Sequence, residues 1–315
     1  MDSPPSAAIL AARDAEAARR EGLVGVAAAG GAFFIWGIAP LYFGLVDQVP
    51  AIEVLAHRIF WTTVLLGLGV ALLGRGHEIL AVLRAGGGTR RAYLLSTTLV
   101  SLNWFVFIYA IQTDRLLHAS LGYYITPLVN VAMGVAFLSE RLSWKQALSV
   151  GLATLGVANL VVFYGTLPWI ALALAASFGT YALVRKKARI DPLVGLLVET
   201  LAVTPLAFGF LAWLAVTGMG HFGPESVGDG WGMSALLVLA GPVTGIPLVL
   251  YMMGAARLRL GTMGLMQYSA PTLQFLIAVL VFGEAFSSAH ALTFALIWAG
   301  LVLYSWDTVL GLRRA

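Results

Sequence analysis

The strongest chemical signal in this sequence is Glu53 and His57, two ionisable residues four apart inside an apolar run, with Arg58 beside the histidine. On a helix, positions i and i+4 share a face, so the carboxylate and imidazole can hydrogen-bond, while Arg58 projects about 100° round the axis. Burial can move the titration of a carboxylate up toward neutral pH and an imidazole ordinarily titrates close to it, which is what proton coupling requires, and the guanidinium is available to an anionic substrate group. Glu199 is a carboxylate in another apolar run. Such groups are costly inside a membrane and default to functional candidates. A structural role also suits them. Glu53 lies three residues past Pro50, where a wet helix start and the positive dipole end favour it, and His57 and Arg58 can satisfy it or a backbone carbonyl.

A second set is Tyr124 with Pro127 and Tyr268 with Pro271. A proline inside a span frees a backbone carbonyl and kinks the helix, and such breaks border cavities, so these tyrosines are candidate pocket walls. Packing or anchoring at the membrane interface is the alternative. Trp36 beside Gly37 and Asn103 beside Trp104 suit substrate stacking as readily as helix packing. The chain has no cysteine and only five scattered histidines. It lacks H-E-x-x-H, G-x-S-x-G and Walker-type runs, so neither an enzyme nor a metal or other cofactor is expected, and ATP is not the direct energy source.

The elements that must hold these residues follow from composition. Of 315 residues, 60% are hydrophobic and 11% charged, with a mean hydropathy of +0.89. A soluble domain is about 25% charged. Ten stretches are long enough for the roughly 20 helical residues a bilayer needs: residues 22–46, 51–73, 92–111, 116–138, 147–164, 168–184, 193–216, 234–253, 262–282 and 289–310. Residues 1–21 read as a polar, Ala-rich cytoplasmic tail. With the amino terminus inside, 17 of the 19 basic residues fall in cytoplasmic segments, and only Arg58 and Arg115 do not. That bias orients both termini to the cytoplasm of an inner-membrane protein and explains the net charge of +4 without nucleic acid.

The segment from Arg115 to Ser143 recurs 144 residues later, from Arg259 to Ser287, with eight identities in 29 positions that include Arg, Tyr, Pro, Glu and Ser. An offset of 142 aligns Trp36-Gly37 with Phe178-Gly179, Pro50 with Pro192, and His57 with Glu199. Each half, 22–164 and 165–315, therefore holds five spans. Five is odd, so the halves enter the membrane in opposite senses, an architecture of secondary transporters. The expected fold is an all-α transmembrane bundle of ten helices in two inverted five-helix repeats. His57 and Glu199 would then line one pathway from opposite ends.

The stretches Phe34-Ile35-Trp36-Gly37-Ile38-Ala39-Pro40, His57-Arg58, Ala119-Ser120-Leu121-Gly122-Tyr123, Pro127-Leu128-Val129-Asn130, Leu183-Val184-Arg185-Lys186-Lys187, Arg257-Leu258-Arg259-Leu260 and Gln267-Tyr268 with Pro271-Thr272-Leu273 resemble the RarD family. This is the chloramphenicol-sensitive-protein branch of EamA transporters in the drug/metabolite transporter superfamily. The resemblance implies two inverted EamA repeats and carriage of a small metabolite or drug, without naming the substrate. The expected function is alternating-access, gradient-driven transport, in the export direction, with the lipid bilayer and a small molecule as partners. Spans 5 and 10 are left for packing or a homodimer surface. An intramembrane enzyme and a passive channel are the competing classes.

Overall fold

The computed structural model describes residues 7–138, 143–224, 231–258, 262–263 and 266–314, and among these it is helical without strands. The helices are α1 (Ala7–Gly44), α2 (Ala51–Leu72), α3 (Gly76–Leu83), α4 (Gly87–Gln112), α5 (Leu116–Leu138), α6 (Trp144–Tyr164), α7 (Trp169–Ala188), α8 (Pro192–Thr217), α9 (Trp231–Ala255), α10 (Ser269–Leu280) and α11 (Ser288–Arg314). Eight of these, all but α3, α7 and α10, are long and apolar enough to cross a membrane. Glu140 and the repeat residues Arg259, Leu260, Gly261, Gly264 and Leu265 lie outside the described residues.

Two of the ten expected spans fall short of that standard. The 20 residues of α7 end in Arg185, Lys186 and Lys187. Only 12 residues remain in α10. Pro271 supplies a reason, because it has no N–H for the Gln267 carbonyl and its ring crowds that carbonyl. The chain turns at Gln267 and Tyr268, and the helix resumes at Ser269. By contrast, Pro40, Pro127, Pro205, Pro242 and Pro247 sit inside unbroken helices.

Two further elements differ from expectation. The first helix begins at Ala7 rather than near residue 22, since the Ala-rich stretch is a strong helix former that continues the span. Glu21 then pairs with Arg257, past the end of α9, at 2.7 Å. The eight-residue α3 is too short, at about 12 Å, to register as a span. Arg75 holds it by bonding Glu78 at 2.6 Å and reaching Asp191 at 3.1 Å. That guanidinium keeps the Glu78 carboxyl below the usual carboxylate range.

Local signals set the helix ends. Ser143 and Gln146 close a capping box on α6, which stops at Gly165 in the left-handed region. Asp191 accepts from the Leu193 and Val194 amides at the start of α8, with Pro192 in the first turn. Packing then joins α1 to α9 and α10, α2 to α8 and α9, α7 to α4 and α5, α5 to α10, and α6 to α11. Small residues allow the closest approaches. A β-carbon on Gly241 of α9 would lie 2.6 Å from the Trp61 backbone of α2, and one on Gly37 of α1 would lie 2.6 Å from Leu273 of α10. The largest apolar cluster centres on Phe43, Ile108, Leu117, Leu121, Leu174 and Phe294, and it backs the polar groups described next.

Candidate functional site

Glu53, His57 and Arg58 all lie buried in the first two turns of α2, at 2%, 4% and 7% exposure. They do not form one cluster. The Glu53 carboxylate is taken by the segment after α8, where it accepts from the His221 amide at 2.7 Å and meets His221 Nδ1 at 2.8 Å. The expected Glu53–His57 bond is therefore replaced, since a backbone amide and an imidazole together satisfy a buried carboxylate better than one side chain on the same helix. His57 instead stacks on Phe222, with ring centroids 5.2 Å apart, and neither of its ring nitrogens has a partner. His221 and Phe222 were missed because they stand in a short connection 168 residues from Glu53. A buried acid whose helix carries its cation, Arg58, about 140° round the axis was the available clue.

Arg58 faces a different set of helices. Its guanidinium carbon sits 4.3 Å from the Trp104 ring of α4 and 5.3 Å from the Phe43 ring of α1. Tyr42 and Tyr123 are near enough to interact with it electrostatically. Both phenols have their hydrogens committed elsewhere, Tyr42 to the Leu236 carbonyl at 2.8 Å and Tyr123 to Asn103 Oδ1 at 3.1 Å. The Asn103 amide donates in turn to Ser177 at 3.0 Å and to the Leu174 carbonyl at 3.1 Å, which fixes the orientation of Tyr123. No carboxylate pairs with Arg58 among the described residues, and its Nε and Nη1 are buried without partners. One turn further along, Trp61 Nε1 and Thr62 Oγ1 are also buried and unpartnered.

Magnitudes show how exposed this charge is energetically. A desolvated cation–π contact returns about 2 kcal/mol. Placing an arginine within a membrane helix costs about 2.5–3.5 kcal/mol on the mildest scale. Contacts to Trp104 and Phe43 together offset much of that cost, but they leave the Arg58 Nε and Nη1 donors without acceptors.

Glu199, at 1% exposure, is held separately near the start of α8. Its Oε2 accepts from Tyr181 at 3.0 Å and from Arg185 Nη1 at 3.0 Å, and Ser96 stands beside it. Arg185 also bonds the Tyr181 hydroxyl and the Asp191 carbonyl. Arg185 and Tyr181 were missed because the Arg185-Lys186-Lys187 run reads as an orienting charge cluster, yet the first of the three turns inward. Tyr124 and Tyr268 stack nearly parallel at 6.4 Å, and the Tyr124 hydroxyl meets Thr272 at 2.6 Å. Trp36 belongs to another aromatic group, with Phe33 and Tyr251, and its carbonyl accepts from Gln274 at 3.1 Å. Of the residues singled out from sequence, Arg58 and Asn103 are thus joined through Tyr123, whereas Glu53, Glu199, the tyrosine pair and Trp36 occupy separate positions.

An open cleft of about 660 Å³ lies between α1, the middle of α9 and the ends of α4 and α10, bordered by Ala39, Tyr42, Asp47, Ile111, Asp114 and Phe282. It reaches the Arg58 surroundings at Tyr42.

Helices of membrane-crossing length around buried polar groups define a multi-pass membrane protein. Residues 23–162 match the EamA-like transporter family. A transporter of Vibrio cholerae is 45% identical over 285 residues, covering 90% of this chain and 92% of its own. The RarD protein of Salmonella typhimurium is 42% identical over 292 residues, covering 92% and 97%. A solved crystal structure at 23% identity superposes with a TM-score of 0.55 over 90% of this chain and 96% of its own, a likeness of fold. The protein is accordingly a membrane transporter. It belongs to the RarD family of EamA-like transporters.

Proposed function

We propose that the chain is a gradient-driven carrier of the cytoplasmic membrane, with both termini inside, that exports a small metabolite or drug by alternating access between two inverted five-helix halves. The first half comprises α1, α2, α4, α5 and α6, and the second α7 to α11, with α7 and α10 as the two remaining spans. The supporting observation is the pattern of packing. Exchanging the halves maps the α1–α10 contact onto α7–α5 and the α1–α9 contact onto α7–α4, and it maps α2–α8, α5–α10 and α6–α11 onto themselves. A bundle built that way has two equivalent conformations, each open to one side.

Ties between the halves differ at the two ends, which favours a carrier over a passive channel. At the end where α1 finishes and α2 begins, Glu53 is buried against His221, and Glu284 accepts from the Leu116 and Leu117 amides at 2.6 and 2.8 Å. At the opposite end, the Arg75–Asp191 and Glu21–Arg257 pairs are solvent-accessible. One end thus joins the halves by buried bonds beside the cleft at Tyr42 and Asp47, and the other by surface pairs, so the two ends are not equivalent. Glu53, His57, Arg58, Glu199, Asn103, Trp36, Tyr124 and Tyr268 are the proposed pathway residues. The test is reconstitution into liposomes, with solutes chosen by comparing media from deletion and overexpressing strains. Saturable, counterflow-stimulated flux is expected. Flux linear in concentration would overturn the carrier in favour of a channel, and solute conversion in detergent would overturn it in favour of an enzyme.

A further inference from the structure

We infer that the solute bound beside Arg58 is a small organic anion with a flat apolar body, its carboxylate or phosphate group meeting the guanidinium and its body lying among Phe43, Trp104 and Tyr123. This rests on the carrier function proposed above and names the substrate class of that site. The argument is one of donors and acceptors. Arginine and the tryptophan indole can only donate hydrogen bonds. Arg58 Nε and Nη1 and Trp61 Nε1 are buried donors with nothing to accept from them, and Thr62 adds a free hydroxyl on the Arg58 side of α2.

Among the described residues nothing supplies the missing negative charge. Glu53, five residues before Arg58 and about 140° away round the helix, is consumed by His221. Tyr42 and Tyr123 keep their hydrogens as donors to Leu236 and Asn103, so they present neutral oxygens rather than phenolates. A neutral solute would leave the charge uncompensated, and a cationic one would repel it. The aromatic walls then select the body, since a flat ring stacks on Trp104 and Tyr123 where a hydrated inorganic anion gains nothing.

The test compares matched pairs on the purified full chain: indole-3-acetate against indole-3-acetamide, benzoate against benzamide, and phenyl phosphate, with sodium chloride holding ionic strength constant. Thermal unfolding across a concentration series gives the affinity of each. The expected result is a preference of about tenfold or more for an anion over its amide, as a charge-assisted hydrogen bond confers, retained in part by Arg58→Lys and lost in Arg58→Gln. Equal affinity of anion and amide for the native chain, no stabilisation by any anion, or an anion preference that survives in Arg58→Gln would each overturn the inference. The native-chain comparison stands even if a variant fails to fold. Saturable counterflow of neutral or cationic solutes alongside a failed anion preference would remove this substrate class and leave the carrier standing; absence of saturable flux for any solute would remove the carrier itself.

Discussion

Replacing Arg58 by methionine removes the charge while keeping an unbranched stem of similar reach, so the packing of the stem against Phe43 and Trp104 changes little. Without solute, the variant sheds a membrane-burial cost of about 2.5–3.5 kcal/mol and forfeits cation–π returns of about 2 kcal/mol at Trp104 and about 0.5–1 kcal/mol at the more distant Phe43. The solute-free protein should therefore change by less than about 1 kcal/mol, a shift of no more than about 2 °C in Tm for a chain of this size, while losing anion binding and transport. Differential scanning fluorimetry in detergent reads the first effect and proteoliposome counterflow the second. A loss of about 3–5 kcal/mol, the cost of breaking a buried ion pair from one side, would mean that Arg58 is satisfied by the fold and is structural. That outcome would refute the reasoning, because it requires a partner that the burial and hydrogen bonding of Arg58 do not contain.

Glu53→Gln should weaken the seal at its end of the bundle by about 1 kcal/mol, since the His221 contacts lose their charge. A single cysteine at Ala39, in this otherwise cysteine-free chain, should then react faster with an impermeant maleimide added outside; unchanged labelling counts against a gating role. Glu284→Ala should cost about 1–2 kcal/mol by uncapping the α5 amides of Leu116 and Leu117, with Glu284→Gln costing less, both read as shifts in Tm. Gly241→Ala should destabilise by about 1–3 kcal/mol, because the new methyl meets the Trp61 backbone at 2.6 Å, which cannot yield as a side chain would. Gly209→Ala on α8 has nothing within 4 Å and should instead stabilise by about 0.5–1 kcal/mol in the same assay.

Long apolar helices were legible because lipid forces the backbone to satisfy itself, leaving hydropathy as a direct readout. The exceptions have local causes. Pro271 interrupts a run that hydropathy reads as continuous, and Arg185 breaks the pattern of α7 by turning a surface-type charge inward to Glu199. The burial of Glu53, Arg58 and Glu199 was legible for the same reason, since each stands in an apolar run. Their partners were not. Periodicity places a residue on a face but says nothing about what a distant connection brings to that face, so His221 and Phe222 read as loop. Arg58 shows the reverse case, in which sequence supplied the charge and only the tertiary surroundings revealed that no carboxylate among the described residues answers it.

The α6–α11 contact has a consequence for synthesis. Asn159 of α6 donates to the Ala289 carbonyl and to Thr293 of α11, and Thr293 donates back to the Gly156 carbonyl. The 130 residues between Asn159 and Ala289 take roughly 7 to 26 s to polymerise at about 5–20 residues per second. Throughout that interval α6 is made but its polar, small-residue face has no mate. The nascent chain must keep a bare amide away from lipid until α11 arrives, so the membrane insertion machinery, or a temporary neighbour within the chain, has to shelter α6 until α11 has been made.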